Sequence, residues 1–106
     1  MVILPHYIVL KENSWIAKLA ARKMKAHCVA LVLGKTIHLH NISPVEFVQS
    51  PSLVGHELKH VEQYKRMGFF TFLVVYLYYS LKYGYYNNPL EIEARAAEYP
   101  QPPKVG

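Results

Sequence analysis

Two histidines four residues apart, with a glutamate following the first, stand in the run His56-Glu57-Leu58-Lys59-His60. Residues four apart share one face of a helix, so His56 and His60 can offer two imidazole nitrogens to one zinc ion. Glu57 is one step round from His56. It cannot easily reach the metal, but it can reach a water bound to it. Zinc lowers the pKa of that water toward neutrality, and a neighbouring carboxylate can take its proton. The chemistry implied is metal-assisted hydrolysis, with Glu57 as general base and then general acid.

A catalytic zinc takes three protein ligands and keeps one position open. The pattern H-E-x-x-H-x-x-G-x-x-H is absent, because positions 63 and 66 are Gln63 and Arg66. A third ligand must come from elsewhere. The carboxylates downstream are Glu62, Glu91, Glu93 and Glu98. Glu62 lies two residues past His60 and faces away from the pair. Glu91 and Glu93 fall in the first turn of a helix opened by Asn87-Asn88-Pro89, where the helix dipole also favours a carboxylate. The two are about 200° apart round that helix, so only one can face the metal.

The remaining elements must bring these helices together. Residues 2–10 are apolar and β-branched and read as a strand, with Pro5 implying an edge position. Asn13 or Ser14 caps a helix in which Trp15, Ile16, Leu19, Ala20 and Lys23 recur at helical spacing. Residues 28–33 and 36–40 form a hairpin about Gly34-Lys35, with Ile37 and Leu39 on one face and His38 and His40 on the other. Pro51 and Ser52 open the zinc helix, which runs to Met67 and stops at Gly68. An aromatic helix fills 69–83 and stops at Gly84, long enough to go out and return. The last helix spans 89–98, and Pro100, Pro102 and Pro103 force an extended tail. The expected fold class is α+β: a small three-stranded β-sheet with a backing helix, a zinc-binding active-site helix, an aromatic helix and a C-terminal glutamate helix.

Composition bounds what this fold can do. The chain of 106 residues is read as one domain, 1–106. All seven acids are glutamates, which excludes EF-hand loops and Ser-His-Asp triads. Cys28 is the only cysteine, so no disulfide forms within the chain. That cysteine, and an apolar run 1–4 that lacks a basic leader and is broken by Pro5 and His6, lead us to expect a cytoplasmic protein. The longest uncharged run, 67–81, falls short of the roughly 20 residues of a spanning helix, so no transmembrane span is expected. The charge of +5 gathers partly on Lys18, Arg22, Lys23 and Lys25. Aromatics do not interleave with these lysines and no zinc-finger or helix-turn-helix signature is present, so no nucleic-acid partner is expected.

The run from His56 to Tyr64, Gly68-Phe69, and Tyr85-Tyr86-Asn87-Asn88-Pro89-Leu90-Glu91-Ile92-Glu93-Ala94 resembles the gluzincin metallopeptidases. Within them it is most similar to the minigluzincins, minimal scaffolds of the same small size, over about 52–98. The strand, helix and hairpin order before it also fits. The resemblance implies Zn2+ as cofactor, a peptide or protein substrate, and Glu91 as the third ligand beside His56 and His60. Ala94 matches at +3. The family's frequent aspartate at +4 is Arg95 here, which leaves the orientation of the histidines to another group and lets Arg95 pair with Glu91 or Glu98. The resemblance further implies a latent enzyme whose C-terminal segment, 99–106, acts as an inhibitory tail. It also implies that the last strand of the sheet runs along the cleft, where it can pair with an extended substrate.

Other residues were weighed for chemistry. Tyr83, Tyr85 and Tyr86 precede the glutamate helix, and one could donate to the oxyanion of a tetrahedral intermediate. His38 and His40 could form a second metal site, but exposed hairpin positions at the cleft rim are the simpler expectation. Cys28 reads as a small core residue. The aromatic helix reads as core or as a self-association surface. The expectation is therefore a zinc metalloendopeptidase. The alternatives are a zinc-stabilised non-catalytic module that self-associates, and a basic nucleic-acid or membrane-surface module with an incidental motif.

Overall fold

The computed structural model describes residues 4–98, and the proposed inhibitory tail at 99–106 lies outside them. The architecture is α+β, with five helices and a three-stranded mixed sheet among the described residues. The first strand, β1 (Val9–Lys11), is much shorter than the expected 2–10. Pro5 has no amide to donate, and its carbonyl instead accepts from the Ile8 amide at 3.1 Å in a turn. Helix α1 (Trp15–Met24) follows, with the Ser14 hydroxyl accepting from the Ala17 amide. Its buried stripe is Ala17 and Ala21, while Trp15 and Leu19 are exposed. The two alanines fix the packed face, because small side chains let the helix axis approach the sheet closely.

Strands β2 (Val29–Leu33) and β3 (Thr36–His40) form the expected hairpin, closing through Leu33 and Thr36. Gly34 takes φ 67°, the positive value a two-residue hairpin loop requires. The strand order is β1-β3-β2, with β1 parallel and β2 antiparallel to β3. This corrects one expectation: the last strand is central, and β2 is the edge that borders the cleft. Alternation splits β2 between two layers. Val29 and Leu31 pack with α1, and Ala30 and Val32 pack into the main core.

His38 is buried on the α1 side, its Nδ1 2.8 Å from the Ser14 hydroxyl, so it belongs to neither the rim nor a second metal site. Cys28 is exposed just before β2, not in the core. Helix α2 (Pro44–Val48) was not foreseen. Its signal was a capping box, in which Ser43 and Glu46 satisfy each other's backbone amides. That single turn drives Phe47 fully into the core.

Helix α3 (Pro51–Met67) carries the histidine pair across the main core, burying Val54, Val61 and Tyr64. Gly68 ends it at φ 88°, a value that favours glycine, and α4 (Phe69–Tyr83) begins at once. Phe72 is the buried residue of α4, stacking on Tyr64 at 3.9 Å between centroids. Helix α5 (Pro89–Ala96) starts where Asn88 accepts from the Leu90 amide, and it ends two residues short of the expected 98. It packs on α3, which brings the start of the last helix against the His56–His60 pair. Among the described residues, no helix is long and apolar enough to cross a membrane.

Candidate metal centre

His56 and His60 lie one turn apart on α3, and their rings face α5 with centroids 5.1 Å apart. Glu91 Oε1 is 3.1 Å from His56 Nε2 and 3.3 Å from His60 Nε2. One ligand atom from each of the three falls within 4.8 Å of the others, so the three form a group that could hold a metal ion. The two distances from Glu91 lie near the roughly 3.3 Å that separates ligand atoms on a tetrahedral ion with bonds of about 2.0–2.1 Å. It is the only such group of His, Cys, Asp and Glu among the described residues.

The other carboxylate of the pair, Glu93, points elsewhere. It accepts from Gln63 Nε2 at 2.7 Å and from Arg66 at 3.3 Å. The 200° between positions 91 and 93 thus sends one glutamate to the histidines and the other to the flank of α3. Asn88 determines this register, since it is fully buried and starts α5.

Each histidine is oriented through its second nitrogen. His56 Nδ1 lies 2.7 Å from Glu98 Oε2, and His60 Nδ1 lies 2.9 Å from Gln63 Oε1. Both partner oxygens accept, so both Nδ1 atoms donate and both Nε2 atoms face Glu91. Glu98 and Gln63 therefore orient the two rings from their far side. Arg95 stands at the +4 position from Glu91. It lies over the Tyr86 ring at 3.9 Å and donates to the Tyr86 carbonyl. The second oxygen of Glu91 accepts from the Tyr76 hydroxyl of α4. Sequence reasoning missed Tyr76, Gln63 and Glu98. Only Gln63 carried a signal, being three residues past His60 on the same helix face.

The electrostatics favour a cation at this point. Burial alone would raise the Glu91 carboxyl, but hydrogen bonds from His56 and His60 outweigh it and hold it well below the usual carboxylate range. Burial alone would lower both histidines, yet Glu91 raises both, with Glu98 adding at His56. Glu57 differs: burial pushes its carboxyl up to about 8, opposed by His60 and reinforced by Glu91 and Glu98. A carboxyl titrating near neutrality beside a metal-ligand pair suits proton transfer.

The trio and Glu57 line a cavity of about 510 Å³. Its other walls are β2, the Leu53 side of α3 and the Phe72, Leu73 and Tyr76 face of α4. The Tyr64 hydroxyl donates to the Val32 carbonyl, tying the edge strand to the histidine helix beside this cavity. Of the three tyrosines singled out from sequence, Tyr85 lines the cavity, its hydroxyl pushed up to about 12 by burial and nearby carboxylates. All three rings are exposed, and Tyr83 and Tyr86 do not line the cavity. Comparison with family models, curated proteins and solved structures finds no match for this chain.

Proposed function

We propose that this chain is a zinc-dependent endopeptidase of the minigluzincin kind. The observation that carries the reading is the convergence of His56 Nε2, His60 Nε2 and Glu91 Oε1, with Glu57 next to them in a cleft bordered by an edge strand. His56, His60 and Glu91 would hold the ion, and their donor set of two imidazoles and one carboxylate is that of a catalytic zinc site. Zinc bound there supplies Lewis-acid polarisation of a carbonyl and lowers the pKa of a water.

The chain's own residues supply the rest. Glu98 and Gln63 keep the histidine lone pairs on Nε2 turned inward. Tyr76 holds the second oxygen of Glu91, so the carboxylate presents Oε1 to the histidines. Glu57 takes a proton on its carboxylate and returns it to the leaving amine. Tyr85, protonated at neutral pH, offers a hydroxyl to charge developing on the scissile carbonyl oxygen. The backbone edge of β2, outside the Val32 carbonyl that Tyr64 holds, suits an extended peptide.

The test is Glu57→Gln beside wild type, both loaded with zinc and given a peptide library. Wild type, as the full chain or after truncation at Glu98 to remove the proposed inhibitory tail, should cleave, and the variant should keep stoichiometric zinc while losing turnover by about two to four orders of magnitude. A chain that binds one zinc and cleaves nothing both with and without residues 99–106 would overturn catalysis and leave a zinc-stabilised module.

A further inference from the structure

Helix α4 is apolar on both sides, and among the described residues only one side is covered. Phe72, Leu73 and Tyr76 line the metal cavity. Opposite Phe72 on the helical wheel stand Phe70, Val74, Leu77 and Leu81, spaced four, three and four apart. All four are exposed, Phe70 by 77% and Leu81 by 80%. A helix apolar all round is normally buried on every side. At 15 residues it is about 22 Å long, too short to span a bilayer core of about 30 Å but suited to lying in its surface.

Charge distinguishes the candidate occupants. From 63 to 90 the chain has three cations, Lys65, Arg66 and Lys82, and no acid. Arg66 pairs with Glu93, while Lys65 lies on the Tyr7 ring and hydroxyl and Lys82 on Tyr78 and Tyr83, neither with a carboxylate partner among the described residues. The two lysines lie just before α4 and at its end. Two copies joined along this face would bring Lys82 against Lys82 if parallel, or against Lys65 if antiparallel, with nothing to neutralise either pair. An anionic headgroup layer neutralises both ends while its acyl chains cover the apolar middle. Exposed tyrosines at Tyr78 and Tyr83 suit the polar boundary of such a layer.

We infer that the outer face of α4 docks this protein on an anionic lipid surface, with Phe70, Val74, Leu77 and Leu81 inserted and Lys65 and Lys82 on the headgroups. The cavity wall and the lipid-facing wall are then two sides of one helix. Substrates held at a membrane surface would meet the metal centre at short range.

The experiment is flotation of the full chain with vesicles of phosphatidylcholine and phosphatidylglycerol in a three-to-one mixture, against phosphatidylcholine alone. Wild type should float with the anionic vesicles and bind the neutral ones weakly. Leu77→Glu/Leu81→Glu should abolish flotation, and Lys65→Gln/Lys82→Gln should weaken it on the order of tenfold. Val74→Lys reads the same face if circular dichroism shows the double glutamate variant unfolded. Chelator should leave flotation unchanged, so this result is independent of the peptidase reading. Three outcomes overturn the inference: no flotation of wild type, flotation indifferent to the α4 variants, or a wild-type dimer in sedimentation that Leu81→Glu dissociates while vesicles go unbound.

Discussion

His60 and Gln63 are joined by a 2.9 Å hydrogen bond from Nδ1 to Oε1, and that bond decides which nitrogen of His60 meets Glu91. Gln63 is itself held, because its Nε2 donates to the Leu90 carbonyl at 3.1 Å and to Glu93. One fully buried amide thus links the histidine helix to the glutamate helix.

Removing that link should loosen the metal before it loosens the fold. Gln63→Ala and Glu98→Ala each leave three ligands in place but free one imidazole to rotate or change tautomer. Each should weaken zinc binding by roughly 10- to 100-fold, the usual cost of losing a histidine's outer partner. Competition with a chromophoric chelator measures this directly. Wild-type affinity in both variants would show that helix packing alone aims the rings.

The two glutamates of α5 should behave oppositely. Glu91→Ala removes a ligand atom 3.1 Å and 3.3 Å from the two imidazole nitrogens and should abolish stoichiometric zinc. Glu93→Ala breaks contacts with Gln63 and the half-exposed Arg66 and should keep one zinc per chain. Elemental analysis after dialysis decides between them. Loss of zinc from Glu93→Ala with retention in Glu91→Ala would shift the ligand register by two residues.

Asn88 should matter to stability more than any other cap. It is fully buried, accepts from the Leu90 amide at 2.8 Å, and donates to the Tyr76 carbonyl and the Ser80 hydroxyl. Alanine leaves these groups without partners and unties α5 from α4. The expected cost is about 2–3 kcal/mol, combining a lost cap with buried unsatisfied groups. Urea unfolding measures it, and a loss under about 0.5 kcal/mol would mean that water replaces the side chain.

The parts legible in the sequence are those with a local physical signature. Helical spacing announced the His56–His60 pair, Gly68 and Gly84 announced helix ends, and Asn88-Pro89 announced α5. Glu91 and Glu93 could be narrowed to one ligand by angle but not chosen between, since that depends on how α5 packs on α3. The role of His38 was hidden because strand alternation gives its face and not what covers that face. The order β1-β3-β2 was hidden because hairpin signals set neighbours and not which strand lies at the edge. Tyr76 sat in an aromatic run where nothing local separates a group touching Glu91 from one touching solvent. Helix α2 was overlooked although Ser43 and Glu46 carried its cap.

His38 gives the chain a pH dependence that can be separated from the metal. Its ring is buried against α1, with Nδ1 facing the Ser14 hydroxyl, which itself accepts from the Ala17 amide. Nδ1 accepts that hydroxyl proton only while the ring is neutral. Burial, and secondarily the Lys11 ammonium, hold the pKa of His38 below its ordinary value of 6.5. The unfolded chain therefore binds a proton at a pH where the folded chain does not. Stability from this residue is fully present above the unfolded value and is lost as pH falls through it toward the lower folded value. In the metal-free chain His56 and His60 have the opposite sign, since both are raised and their contribution fades as pH rises. A comparison with His38→Gln isolates the effect, because Gln can still accept from Ser14 and does not titrate. Wild type should lose more stability than His38→Gln between pH 7.5 and pH 5, read by urea unfolding of both chains in matched buffers. Parallel profiles for the two chains would mean that His38 titrates alike folded and unfolded, and that the contact with Ser14 survives protonation.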